Sequence, residues 1–575
     1  MENKTCKQCN CEFIVDDDDL AFYKKISPTF GDKTFEIPPP SLCPDCRNRR
    51  RTAVRNVTNL HKRKCDLCQK EIVSMYSSDK TDIKVYCSEC WWSDKWDPTE
   101  YAQGYDSSRS FIEQVIELKK KVPQPALMYV NSENSDYSNL SNDNKNCYLI
   151  FLSGRNEDVY YGYWSEDSKS CVDISYNSRC ELCFEGINLG RCYNVHWSVN
   201  CGDCRDSYFI EDCDSCKDCI LCSRLSHKQY CYKNEQYEKE QYEKMKSEFV
   251  AGLEIKLDDY KKEFQAVIQS QPKKFSQMLR CENCSGDNVF DSKNCHNCFM
   301  TAHSEECKYC YDLTRGTDSY DITGFGIPIE LVYESQNIGL GSARCAFVSF
   351  AYQLADSYYC EHCYYSRNLF GSIGIRNHGE YFILNKKYSQ DEYERLCKDI
   401  VSDMQERGEW GEFFPAKFSA FDYNETLADI YYPLKKEESQ RLGYGWQEDD
   451  YDIGFNGTPY EPLPIKTYEK DDGERKKLLD GVLKCQKSGR PYKISPQELL
   501  FYIKNGLPIP RLHYMIRMQE RLERINLFNL YHRQCMCEET GHDHDGRCKI
   551  EFETSYSPKQ EEKVYCEKCY WAEEK

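Results

Sequence analysis

The sequence predicts a mixed, mainly β fold: compact Cys-rich modules at both ends flank two arrays of short stacked strands, each array followed by a helix. Three observations carry this expectation. The 575 residues include 37 Cys, clustered as nine in 6–90, twelve in 147–231, nine in 281–363 and five in 535–569, with Cys397 and Cys485 alone. The end clusters use the Cys-x2-Cys spacing of tetrahedral, all-sulfur zinc ribbons. The middle clusters keep a period of three, which belongs neither to a helix at 3.6 nor to a strand at 2. The expected architecture is therefore zinc ribbons at both ends of two Cys-rich β-solenoid arrays with 12-residue coils.

Composition bounds the function. Asp and Glu number 95 against 76 Lys and Arg, a net charge of −19, which argues against non-specific polyanion binding by the whole surface. No run of 18 apolar residues exists, so no membrane span is expected. Met1-Glu-Asn-Lys-Thr-Cys6 shows no apolar signal region. The expected location is a reducing cytoplasm, where paired cysteines read as metal ligands before disulfides.

Each end module follows from spacing. Cys65, Cys68, Cys87 and Cys90 form two Cys-x2-Cys turns 18 residues apart, with Glu71–Tyr76 and Ile83–Tyr86 as strands between them. Cys6, Cys9, Cys43 and Cys46 form a second set with a longer insert, and Cys11 is a spare thiol able to replace Cys9. The C-terminus repeats the N-terminus: Asn529-Leu-Tyr-His-Arg-Gln-Cys535 matches Asn59-Leu-His-Lys-Arg-Lys-Cys65, and Val564-Tyr-Cys-Glu-Lys-Cys569 matches Val85-Tyr-Cys-Ser-Glu-Cys90. The third zinc set is Cys535, Cys548, Cys566 and Cys569, with Cys537, His542 and His544 as substitute ligands. Upstream of it, the counterparts of the first set are Cys485, Ser488, His513 and Ile516. Ile cannot bind zinc, so this copy is expected to be metal-free and held by packing. About three structural zinc ions are implied.

From 132 to 234, all twelve cysteines stand at residue numbers divisible by three, and of the 35 such positions only Lys228 is charged. One small inward side chain per triplet, four triplets per coil, explains both facts as a narrow solenoid. The 12-residue beat resembles the Cys-rich solenoids of hyperactive antifreeze proteins, whose Thr-x-Thr rows are missing here. A second array, 281–386, keeps the period with slips of phase. Cys213, Cys216, Cys219 and Cys222 resemble a ferredoxin cluster run, but the last spacing is two and no Pro follows, so an iron–sulfur cluster is disfavoured. Cys281, Cys284, Cys295 and Cys298 are a lesser zinc candidate.

Three features address function. Arg47, Arg49, Arg50, Arg51, Arg55, Lys62, Arg63 and Lys64 form a basic island without acids, the expected form of an RNA or DNA phosphate contact. The bland alternative pairs these arginines with the chain's own acids, such as Asp16 to Asp19. Tyr160, Tyr161, Tyr163, Trp164, Trp197, Tyr208 and Phe209 lie off the inward positions, able to stack on a protein partner or, as the favoured reading, to pack internally. His542-Asp-His544 beside Cys548 allows a metal-dependent hydrolase or nuclease as a further alternative. No P-loop, GxSxG or HExxH is present, and no catalytic residue is assigned.

Leu42-Cys-Pro-Asp-Cys-Arg47, Trp91-Trp-Ser-Asp-Lys-Trp-Asp-Pro98 and Val564-Tyr-Cys-Glu-Lys-Cys-Tyr570 give the whole chain a resemblance to a family of large bacterial Cys-rich zinc-ribbon proteins. The resemblance implies zinc binding and no established activity; a CoA-transferase label borne by some relatives finds no support in these residues. The expected layout is ribbon-like module A (1–58), ribbon B (59–97), a linker with a helix at Phe111–Lys121 (98–131), array one (132–234), an amphipathic helix (235–272) and array two (281–386). A helix and irregular connector (387–475), the degenerate copy A′ (476–528) and ribbon C (529–575) follow. Because the ends are copies, they are expected to pack together across a pseudo-twofold axis and clasp the arrays.

Overall fold

The computed structural model describes residues 1–448, 457–526 and 528–572; residues 449–456 of the expected connector and the last three of module C lie outside the described residues. The chain is mixed and mainly β. Its centre consists of two largely parallel sheets, one of eight strands between Glu157 and Gln236 and one of ten between Met278 and Lys387. We call these ladder one and ladder two. In ladder one the parallel strands pair at a constant step of 12, as in Val159 with Cys171, Ile174 with Gly186 and Cys219 with Cys231. Single bridges carry the same step upstream, from Glu133 to Lys145 and from Tyr148 to Tyr160.

A backbone rule underlies the period of three. From 131 to 233, every third residue except Tyr137 is left-handed, with φ between 48° and 59°. These residues immediately precede the inward positions. Left-handed backbone is tolerated best by Asn and Asp and worst by β-branched side chains. Asn and Asp accordingly recur there (Asn188, Asn194, Asn200, Asp206, Asp212), and Val, Ile and Thr are absent. The outward side chains then stack one step apart: Asn188 Nδ2 donates to Asn200 Oδ1 at 2.9 Å, Asn194 Nδ2 to Asp206 Oδ1 at 2.8 Å, and the Trp197 and Phe209 rings lie 4.9 Å apart, nearly parallel. Such ladders offset the conformational cost of each left-handed residue.

The cysteines of this row are buried. Cys171, Cys183, Cys204, Cys219 and Cys222 are fully buried, among Ile150, Val159, Ile174 and Ile210. Their thiols donate to main-chain carbonyls, as Cys171 does to Lys169 O at 3.2 Å, and burial pushes the Cys147 thiol up to about 11. Buried thiols of this kind fill space like small apolar side chains.

The phase slips of ladder two are register changes. Met278 pairs with Val289, a step of 11, while Ile329 pairs with Ser342 and Gln336 with Ser349, steps of 13. The short step holds Gly286 at φ 134°, where an added Cβ would sit 1.7 Å from the Cys298 carbonyl oxygen. Both ladders close alike. Asn234 accepts from Ser223 N–H and Asn385 from Ile373 N–H, each at 2.8 Å, and each is followed by an antiparallel hairpin strand.

The helices expected after each array are present at Lys239–Ser270 and Gln390–Glu406, and the linker helix spans Phe111–Lys121. The first buries Phe249, Leu253, Phe264 and Ile268 at helical spacing against Tyr208 and Phe209 of ladder one. It therefore packs along the flank of the last strands of ladder one.

The duplication of the ends is expressed through the ladders. Arg47 and Arg51 of module A both bind Asp321 of ladder two, at 2.9 and 3.3 Å. Arg517 and Arg521 of copy A′ both bind Asp173 of ladder one, the latter at 2.9 Å. Arg51 Nε also donates to Thr323 Oγ1 and Arg521 Nε to Ser175 Oγ, each at 3.1 Å. Arg47 lies over the Tyr309 ring and Arg517 over the Tyr161 ring. Each ribbon then reaches the start of the other ladder: Val85–Tyr86 pairs in parallel with Gln124–Pro125, and Val564–Tyr565 with Lys273–Lys274.

Candidate metal centres

Three sulfur tetrads form. Cys6, Cys9, Cys43 and Cys46 converge, as do Cys65, Cys68, Cys87 and Cys90, and Cys535, Cys548, Cys566 and Cys569, with all four Sγ atoms of each set within 4.8 Å of one another. The local sequence explains why. In each module a hairpin turn presents the first thiols: strands Glu2–Thr5 and Glu12–Val15 in A, His61–Lys64 and Glu71–Ser74 in B, Tyr531–Gln534 and Glu551–Thr554 in C. The turn needs left-handed residues, supplied by Asn10 at φ 60° and Gln69 at φ 62°. The second pair sits at a helix start, with Cys43 as N-cap of Pro44–Thr52 and Cys87 as N-cap of Ser88–Trp91. Exposed N–H groups at a helix start favour negative charge, which suits a thiolate.

The distances fit a metal and not a disulfide. Cys9 to Cys43 is 3.7 Å, Cys68 to Cys87 is 3.9 Å and Cys548 to Cys566 is 4.0 Å. Tetrahedral sulfur about 2.3 Å from zinc places neighbouring sulfurs about 3.8 Å apart, whereas a disulfide needs about 2.05 Å. Cys87 N–H points at Cys65 Sγ at 3.3 Å and Cys566 N–H at Cys535 Sγ at 3.2 Å. Burial opposes ionisation of Cys65, but backbone N–H groups of Cys68, Cys87 and Leu67 overcome it and draw that thiol down to about 7.

A fourth group joins Cys537, His542, His544 and Cys569. Sequence analysis treats the first three as substitutes in one site; the structure gathers them as a separate set that borrows Cys569. Cys11 lies 3.2 Å from Cys9, beside the first tetrad. Among the described residues, no metal-ligating group forms at Cys213–Cys222, at Cys281–Cys298, or around Cys485 and His513.

The basic island does not form a phosphate-binding face. Arg47, Arg51 and Arg55 are buried. Arg50 binds Glu334 at 2.7 Å and Glu412 at 2.9 Å, Arg63 donates to Asp66 at 3.1 Å, and Arg49 donates to Cys46 Sγ at 3.4 Å. Lys62 and Lys64 are exposed. Arg55 donates to Thr323 O at 3.3 Å. A buried, paired guanidinium has no access to phosphate, so Arg47, Arg50 and Arg51 are corrected to an internal role. Their partners are Asp321, Glu334 and Glu412, while Asp16 and Asp19 are taken by Lys308 at 2.7 and 3.2 Å.

The aromatic row is likewise turned inward. Tyr161 stacks on Tyr514, Tyr163 OH meets Tyr431 OH at 2.6 Å, Trp164 stacks on Tyr176, and Tyr160, Trp197, Tyr208 and Phe209 are buried. The residues that sequence reasoning missed are Asp173 and Asp321, the acids that anchor the two ends. Their signal is faint: an Asp at the left-handed position, flanked by apolar neighbours.

No protein-family model and no curated protein matches the chain. A solved chain from Desulfovibrio desulfuricans G20, provisionally described as an acetyltransferase, aligns over 49% of this chain and 81% of its own at 9% identity, with a TM-score of 0.10. So loose a superposition bears on neither fold nor activity. Among the described residues, no helix is long and apolar enough to cross a membrane.

Proposed function

We propose that the protein is a zinc-stapled, non-catalytic scaffold of a reducing compartment. Modules A, B and C hold one zinc ion each in closed tetrathiolate sites, and the two ladders wind as narrow solenoids with residues of the Cys row inside. The observation that carries this reading is the set of sulfur tetrads at tetrahedral spacing in three modules of matching geometry. Four protein ligands leave no position for a water or substrate, which favours a structural metal over a hydrolytic one. The 12-residue register and the left-handed residue in each triplet support the solenoid. RNA or DNA binding would rest on Lys62 and Lys64 alone.

Chelation tests it. With zinc removed, hydrogen exchange should accelerate throughout 2–15, 61–90 and 531–569, because metal-binding energy in such modules is folding energy. Exchange in 483–523, copy A′, should not change. Equal acceleration in A′ and A, or none in either, would overturn the proposal.

A further inference from the structure

Modules B and C share a hydrogen-bonded frame. Cys65 N–H donates to Lys70 O and Cys535 N–H to Ile550 O, both at 2.9 Å. Asp66 N–H donates to Val85 O at 2.9 Å and Met536 N–H to Val564 O at 3.0 Å. They differ in one stretch. Two residues separate Cys65 from Cys68, whereas residues 536–547 separate Cys535 from Cys548. That longer loop folds back on the module, with Cys548 N–H donating to Cys537 O at 2.9 Å.

The loop carries ligand chemistry aimed at one point. Cys537 is fully buried but lies outside the tetrad, and its Sγ faces His542 Nδ1 at 3.1 Å. His544 Nε2 stands 3.4 Å from Cys569 Sγ. His544 Nδ1 lies 2.7 Å from Gly546 O, a carbonyl that accepts only from N–H, so the proton is on Nδ1 and the lone pair on Nε2. A second hydrogen bond of this kind is how proteins orient a metal-binding imidazole. The four donor atoms lie within 4.8 Å of one another, and Cys569 belongs to both this set and the tetrad.

We propose that module C holds two metal ions bridged by the Cys569 thiolate. The first takes Cys535, Cys548, Cys566 and Cys569; the second takes Cys537, His542, His544 and Cys569. Thiolate and imidazole donors without carboxylates select zinc over calcium or magnesium. Charge favours the pair: a lone tetrathiolate zinc site carries two negative charges, whereas five thiolates, two neutral imidazoles and two zinc ions carry one. Both tetrahedra are closed, so His542 and His544 are structural ligands here and not the open site of a hydrolase. The imidazoles are half-exposed, which makes the second ion the exchangeable one.

This rests on the reading that module C binds zinc, and native mass spectrometry of the full chain separates the two. The expected count is four zinc ions in the unaltered protein, falling to three in both H542A/H544A and C537S. Cobalt substitution gives a readout that needs no variant. Two cobalt ions bridged by one thiolate should couple magnetically, leaving less spin signal than the cobalt content, and H542A/H544A should restore the full signal. Three zinc ions in the unaltered chain, unchanged in the variants, would overturn the bridged pair and leave the tetrathiolate sites standing. No zinc, or iron, would overturn both.

Discussion

Module A and copy A′ share one skeleton and differ in what fills it. Both place a hairpin before a helix, Leu483–Lys484 pairing with Pro491–Tyr492 as Glu2–Thr5 pairs with Glu12–Val15. Where A has four thiols, A′ has Cys485, Ser488, His513 and Ile516. His513 takes the place of Cys43 as the N-cap of Tyr514–Glu523, its Nδ1 accepting from Met515 N–H at 3.2 Å. Burial lowers its pKa to about 3, so it is a neutral acceptor. Ile516 packs on the apolar cluster around Leu499 and Met518. What A and A′ keep in common is the grip: two arginines one helical turn apart on one buried aspartate. A sulfur tetrad able to hold a metal in A and apolar packing in A′ fill the same skeleton, and the arginine–aspartate clamp is common to both.

The sharpest break of this equivalence is to remove each aspartate. Asp321→Ala and Asp173→Ala each remove the carboxylate shared by two buried guanidiniums, leaving only the longer contacts of Arg51 to Glu334 at 3.5 Å, Arg517 to Glu498 at 3.7 Å and Arg521 to Glu185 at 3.9 Å, a defect worth about 3–5 kcal/mol. Denaturant unfolding should show losses of that size in both variants. A large loss in only one would mean that the clamps are not equivalent. Next in size, S488C/H513C/I516C should return metal binding to A′. One zinc ion more than in the unaltered protein is expected by metal analysis, because Cys485 already has the right frame. No gain would mean that A′ has drifted further from A than its hydrogen bonds indicate.

A pH-dependent effect concerns Asp312, whose burial raises its pKa to about 7 against the pull of Arg55. Between about pH 4, the ordinary carboxyl value, and pH 7 the unfolded chain has released this proton while the folded chain keeps it. Stability should therefore fall as pH rises through that window. Asp312→Asn should flatten the fall without changing stability near pH 4. An unchanged slope would contradict the assignment.

The end modules were legible because tetrahedral sulfur coordination demands a fixed spacing and each Cys-x2-Cys turn is local. The row at every third residue was legible because burial excludes unpaired charge: its one charged member, Lys228, is exposed. The arginine segment was not: Arg47 announces its charge, but its partner Asp321 lies 274 residues away, and no local pattern joins them. For the aromatic row, where internal packing was the favoured reading, the partners were hidden in the same way, since Tyr161 finds Tyr514 only in the fold. The left-handed rule was written in the recurring Asn and Asp and the missing Val, Ile and Thr, one position before each inward residue. A four-ligand template left no place for Cys537, His542 and His544 except as substitutes, so their separate convergence on Cys569 needed the structure.

The central claim divides the sulfur of this chain into metal-binding ends and an inert middle. Metal content of the full chain purified without oxygen, compared between C43A and C216A, tests it most directly. The account predicts one fewer zinc ion in C43A, an unaltered count in C216A and no iron in either. Loss of metal from C216A, or an undiminished count in C43A, would contradict it.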